Sequence, residues 1–293
     1  MAVVDDHKTV EFSTLSLSIS MSAVVILVYD HLLTLDREIA YIWIPLRRKR
    51  RSAAWFLFTR YFPLLSTIAM CLTNFGDYTI EKCKHYKLLH GVLTLAQEFI
   101  VGCHLILRVY AMYDLNKTIL SILLATAAAT VAIGAWSIVP TGTPLSDTII
   151  TLPGCQTPVS HAQSMRIAGA WEAELACDAL IVGLIVFRAF QLRRGQPVSI
   201  KPGSPFKIMV RDGVMYFLVI FLANLGNILM LSLGSNNTSG SLSWFTASIS
   251  VVMITRLMLN LHAAADVSDL SSSLMLGTLH GVDEDDTGTV QFS

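Results

Sequence analysis

Apolar positions along the chain gather in seven long runs, 15–35, 55–75, 88–112, 118–139, 167–190, 213–233 and 242–261, separated by shorter polar stretches. Each run matches the roughly 20 residues that a helix rising about 1.5 Å per residue needs to cross a hydrocarbon layer of about 30 Å. Inside lipid every backbone N–H and C=O must be paired within its own segment, and barrel strands are only about 10 residues long, so these runs are read as helices. The pattern predicts an all-α, polytopic seven-transmembrane-helix bundle over 15–262, preceded by an outer segment 1–14 and followed by a cytoplasmic, disordered acidic tail 263–293. Asp5, Asp6 and Glu11 precede the first run and no small-residue cleavage pattern follows it, so it is expected to stay as a span rather than leave as a signal peptide.

Charge sets the expected orientation. Arg37 and the cluster Arg47, Arg48, Lys49, Arg50, Arg51 follow the first run, which by the positive-inside rule places them in the cytoplasm and the N-terminus outside. Alternation then puts Lys117 and the basic loop Arg193, Arg194, Lys201, Lys207, Arg211 inside as well, while 141–164 and 234–241 carry no Lys or Arg and fall outside. Lys82, Lys84 and Lys87 dissent mildly, in the company of Asp77 and Glu81. The C-terminal tail has no Lys or Arg and contains Asp283, Glu284, Asp285 and Asp286.

Composition agrees. Hydrophobic residues make up 53% of the 293 and charged ones only 14%, against about 25% charged in soluble domains. Lys plus Arg (21) equals Asp plus Glu (21), so no basic excess points to nucleic acid, and the bilayer is the expected partner. The plasma membrane is the expected location, with an endomembrane as the alternative.

The stretch Tyr29-Asp30-His31-Leu32-Leu33-Thr34-Leu35-Asp36-Arg37-Glu38-Ile39, with Trp43 and Arg60-Tyr61 after it, resembles the N-terminal signature of a large family of multipass membrane proteins from basidiomycete fungi. The resemblance continues at Leu107-Arg108-Val109-Tyr110-Ala111-Met112-Tyr113, at Arg211-Asp212-Gly213-Val214-Met215-Tyr216-Phe217 and at Arg256-Leu257-Met258-Leu259-Asn260-Leu261. That family is a domain of unknown function, so the resemblance implies the topology and a fungal source but no activity and no catalytic residues.

An ionisable group inside a bilayer costs several kcal/mol unless paired or hydrated, which makes each one a candidate for function. Two layers emerge from counting residues inward from the ends of the runs. Glu98, Asp178 and Asn224 fall near the midplane, with Glu174 one turn above Asp178 on the same face and Trp171 three residues before Glu174. Such an acidic, aromatic-edged site opening outward would suit a small cationic or amine-bearing ligand, a bound cation or a proton; the structural alternative is interhelical hydrogen bonding. The second layer is cytoplasmic: Asp30, His31, His104, Arg108, Asp212, Arg256 and Asn260. Opposite charges at similar depth predict an ion-pair network, acting either as a static lock or as a switch between two helix arrangements.

Cys83 and Cys155 both fall on the outer, oxidising side and would form a bridge, while Cys71, Cys103 and Cys177 lie within spans. Asn236 and Asn237 each open an acceptor sequon on an outer loop and are candidates for glycosylation.

Three functional classes remain. Seven spans, the orientation, Arg108-Val109-Tyr110 and the cysteine pair resemble rhodopsin-like receptors, with a cytosolic partner at the basic inner loops. Leu107 in place of an acid, and a last span without Asn-Pro-x-x-Tyr, depart from that pattern. A retinal protein is excluded, since the last lysine is Lys207 and the Schiff base needs one in the seventh helix. His31, His104 and His262 raise a zinc hydrolase, but no His-x-x-x-His pair orients two of them; no catalytic residue, metal or cofactor is expected. Glu98 and Asp178 as a proton or cation relay raise a transporter, against which stands the lack of an internal repeat. A receptor-like, non-enzymatic protein is the leading expectation.

Overall fold

A computed structural model describes residues 6–44, 50–73, 80–139, 161–195, 205–233 and 242–284. Among them are seven α-helices and no strand: α1 Asp6–Glu38, α2 Arg50–Thr73, α3 Ile80–Met112, α4 Lys117–Ile138, α5 His161–Gly195, α6 Pro205–Leu233 and α7 Ser243–Glu284. A single π-helical turn, Ile39–Trp43, continues α1. Each helix covers one of the seven apolar runs, so the all-α class and the helix count expected from the sequence hold.

Five helices contain a stretch long and apolar enough to cross a membrane: Leu17–Trp43, Ala53–Leu72, His85–Met112, Lys117–Ile138 and Ser243–Ala264. In α6 the apolar described stretch is shorter, Val214–Met230, and α5 is interrupted by Glu172, Glu174 and Asp178. The distribution of polarity is the reverse of a soluble protein's. Val25, Tyr29, Leu32, Leu65, Leu72 and Phe99 are exposed, whereas Asp30, Glu38, Arg60, Gln97, Asp178, Asn224 and Asn227 are buried. That arrangement fits a membrane-embedded protein.

Helix α7 is the axis of the bundle. It packs on α1, α2, α3, α6 and the π turn, and 61% of its apolar stretch is buried, against 11% for α4 at the periphery. The main core joins Leu27, Val101, Leu105, Val109, Ile181, Ile185, Phe217, Ile220, Val251 and Ile254 from five helices. Small residues let α3 and α4 approach closely. A Cβ on Gly134 would sit 2.7 Å from Leu95 Cδ1, and one on Gly91 3.0 Å from Ile138 Cγ1. Between these two helices Asp114 and Leu115 take positive φ (53° and 60°), after which the Asn116 side chain accepts the Thr118 N–H and starts α4.

Two boundaries differ from the sequence reading. Polar Asp36, Arg37 and Glu38 suggest that the first helix ends at residue 35, yet it runs on through Glu38 and the π turn because Glu38 is buried and paired rather than solvated. The acidic tail expected to be unstructured from Ala263 instead continues α7 to Glu284. Three successive alanines, Leu270, Leu274, Met275 and Leu276, with no proline, give this stretch enough helix propensity to propagate from an already formed helix.

Candidate functional site

Two polar clusters occupy the interior. The first lies where α1 gives way to α2. Arg60 on α2 and Glu38 at the end of α1 form an ion pair, Nε to Oε2 2.9 Å, with both side chains 0% exposed. The guanidinium also donates to Thr34 Oγ1 (2.6 Å) and to the His31 carbonyl (3.1 Å). The other carboxylate oxygen of Glu38 accepts from Trp43 Nε1 (2.9 Å) and Tyr61 Oη (3.0 Å). The π turn supplies the tryptophan. In it the Ile44 N–H reaches back five residues to the Ile39 carbonyl, and the wider turn sets Trp43 against Glu38 while Ile42 stays buried against Ala53, Phe56 and Leu259.

One turn before this cluster, Asp30 accepts from Arg256 Nε on α7 at 2.6 Å; the aspartate is 3% exposed and the arginine 37%. Asn260 on the same helix accepts from Arg37 (3.5 Å) and donates to Tyr216 on α6 (2.9 Å). The network expected from Asp30, Arg256 and Asn260 is therefore formed, and it links α1, α6 and α7. His31 sits beside it, its Nδ1 2.8 Å from the Leu27 carbonyl and its ring edge-on to Tyr61. Arg108 lies over the Phe217 ring at 5.3 Å. Asp212 belongs to α6, but its side chain lies outside the described residues.

The second cluster lies deeper, between α3, α5 and α6. Asn224 Nδ2 donates to Asp178 Oδ2 at 2.5 Å, with the two side chains 1% and 4% exposed. Glu98 on α3 is within electrostatic range of Asp178 and Glu174, and its Oε1 is enclosed with no hydrogen-bond partner among the described residues. Trp171, one turn above Glu174, packs in a small apolar group with Ile167, Leu175 and Ile228. The four polar candidates thus share one region, with Trp171 as its apolar edge. Beside them Gln97 reaches the other way, its Nε2 2.7 Å from Ser66 Oγ on α2.

The remaining candidates separate. His104 pairs with Thr59 Oγ1 at 2.7 Å and His262 with the Met258 carbonyl at 2.9 Å, while His31 is held as above, so the three histidines have different partners. Among the described residues no three His, Cys, Asp or Glu side chains are grouped to hold a metal. Cys71, Cys103 and Cys177 are free thiols. Cys155, Asn236 and Asn237, and the side chain of Cys83, lie outside the described residues. A cavity of about 20 Å³ opens at the other end of the bundle, lined by Ser20, Thr67, Met70, Cys71, Tyr86, His90 and Trp244. That is space for little more than one water.

With the geometry in hand, the comparison with known families becomes informative. A model described as a family of unknown function (DUF6533) matches residues 18–65. A search of curated proteins finds no match. The matched stretch holds Asp30, His31, Thr34, Glu38, Trp43, Arg60 and Tyr61, so the whole Glu38–Arg60 cluster falls inside it, whereas the acids of α3 and α5 fall outside. Sequence reasoning quoted Glu38, Trp43, Arg60 and Tyr61 only as part of a signature. The usable signal was an arginine within an apolar run and an acid immediately after another, which in lipid must find each other.

Proposed function

We propose that this is a receptor-like, non-enzymatic seven-helix protein of the plasma membrane, with its N-terminus outside, that senses a small cationic or amine-bearing ligand from the outer side. The observation that carries the reading is the buried Asp178–Asn224 pair with Glu98 and Glu174 beside it, acids gathered in the interior of an otherwise apolar bundle. Asn224 also ties the site to α6, whose Tyr216 joins the Asn260–Arg37 network, so a ligand that moves α6 would act on the packing of α1 and α7. The basic loops would then present the change to a cytosolic partner. The likeness of the α1–α2 stretch to a fungal membrane family supports a fungal source, and all seven helices are read as crossing.

The test is a panel of small primary and quaternary amines added to purified protein in nanodiscs. A reporter fluorophore on the inner end of α6 reads the response. At least one amine should give a saturable change, weakened tenfold or more in Asp178→Asn. Binding with no movement of α6 would remove the receptor reading.

A second reading is proton- or cation-coupled transport, favoured by the same acids lying on two different helices, α3 and α5. Uptake driven by a pH gradient in reconstituted vesicles, abolished in Glu98→Gln, would replace the receptor with a transporter.

A further inference from the structure

Helix α6 crosses α5 antiparallel, and two contacts give the register: Asp178 bonds Asn224, and two turns outward Trp171 packs on Ile228. Between those rungs stand Glu174 on α5 and Asn227 on α6. Asn227 is 0% exposed, yet neither its Oδ1 nor its Nδ2 has a partner among the described residues. Asn224 Oδ1 and Glu98 Oε1 are likewise enclosed and unpartnered. The Tyr216–Asn260 contact between α6 and α7 carries the same argument to α7, placing Ser248 and Ser250 near the level of Asn227. Both are buried, 1% and 0% exposed, with hydroxyls that also lack a partner.

Buried polar groups are nearly always satisfied, and leaving one unmade is costly. Here the unsatisfied atoms concentrate at one level, and most are oxygens: one carboxylate, two amide carbonyls and two hydroxyls. Carboxylate, carbonyl and hydroxyl oxygens together are the donor set of hard cations, and the absence of sulfur and imidazole from this set disfavours soft metals. We infer that Asp178, Asn224 and Asn227, with Glu98 facing them and Ser248 or Ser250 completing the shell, hold a hard inorganic cation of the sodium or calcium class. This inference deepens the proposed function and rests on reading the acid cluster as a binding site. It assigns Asn227 the part of a ligand, and it accounts for a polar layer that no contact within the described protein satisfies.

The experiment measures the thermal unfolding midpoint of the full chain in nanodiscs at fixed pH, with choline chloride holding ionic strength constant. Sodium chloride or calcium chloride should raise the midpoint saturably, by about 2–4 °C for each kcal/mol of stabilisation. The sodium and calcium arms identify which cation class is held. Asn227→Leu, which changes no charge, should abolish the rise, as should Asp178→Asn; Ser121→Ala on exposed α4 should keep it. Radioactive sodium or calcium bound per protein should fall from about one to near zero in Asn227→Leu. The inference is overturned if neither cation exceeds choline, or if the rise survives in Asn227→Leu. A protein that responds to amines but to neither cation retains the receptor reading and loses this one. Cation binding with no amine response does the reverse.

Discussion

Arg60 is an enclosed guanidinium whose counter-charge comes from one residue, Glu38, and whose other donors reach only Thr34 and the His31 carbonyl. Removing one partner from such a pair leaves the other charge stranded, a loss of roughly 3–5 kcal/mol, whereas replacing both with apolar side chains of similar volume is often neutral. Glu38→Leu and Arg60→Met should therefore each cost most of the folded protein, seen as loss of the monodisperse peak in detergent chromatography, and the double variant should recover it. Arg256, paired with Asp30 but 37% exposed, is in reach of water and headgroups, so Arg256→Ala should lower the unfolding midpoint far less than Arg60→Met. An equal loss would mean that the Asp30 pair, and not the Glu38 pair, holds α1 in place. The sequence made the Asp30–Arg256 and Asp178–Asn224 pairs legible because depth along a helix follows from residue count. Glu38–Arg60 was not legible. Its burial depends on how α1 and α2 are rotated about their own axes, and on α1 continuing past the polar residues that seemed to end it.

The π turn is the element that fixes those rotations. A π turn holds one residue more than an α turn, so removing one residue returns the segment to α-helix and swings everything beyond it by about 100°. Ala40 is exposed within this turn, and replacing it with Ser should change little. Deleting Ala40 should instead rotate Ile42 out of its contacts with Ala53, Phe56 and Leu259 and carry Trp43 away from Glu38. The expected outcome is a midpoint for the deletion variant as low as that of Glu38→Leu, with no further loss when the two changes are combined. Full additivity would show that the turn and the ion pair act independently. Nothing in the apolar pattern marks this turn, because its side chains are as apolar as those of the helix before it. The extension of α7 was hidden for a related reason. Composition reports whether a segment can pack against lipid, not whether a helix already nucleated in the bundle will continue beyond it.

The number of crossings belongs to the whole molecule, and composition alone leaves α5 in doubt. Its contacts resolve the geometry. At one end Arg166 lies over Trp136 at 4.1 Å and Gln163 donates to the Ser137 carbonyl, both near the end of α4. At the other, Arg188 reaches the Met112 carbonyl (3.0 Å) and Asp114, just before α4 begins, while Tyr113 donates to the Leu184 carbonyl. α5 therefore lies antiparallel along the full length of α4, and whatever slab α4 crosses, α5 crosses too, its acids at 174 and 178 turned toward α3 and α6. Tags at the two chain ends do not distinguish five crossings from seven, since both numbers are odd. A tag inserted in 196–204 does: with seven crossings it is cytoplasmic, whereas with α5 and α6 outside the bilayer it stays on the outer side. In intact cells an antibody should reach a tag at the N-terminus or in 234–241, and should reach one in 196–204 only after permeabilisation. Staining of the 196–204 tag without permeabilisation would take α5 and α6 out of the membrane. It would also leave Asp178 and Asn224 in water, where neither a ligand site nor a cation site would need them.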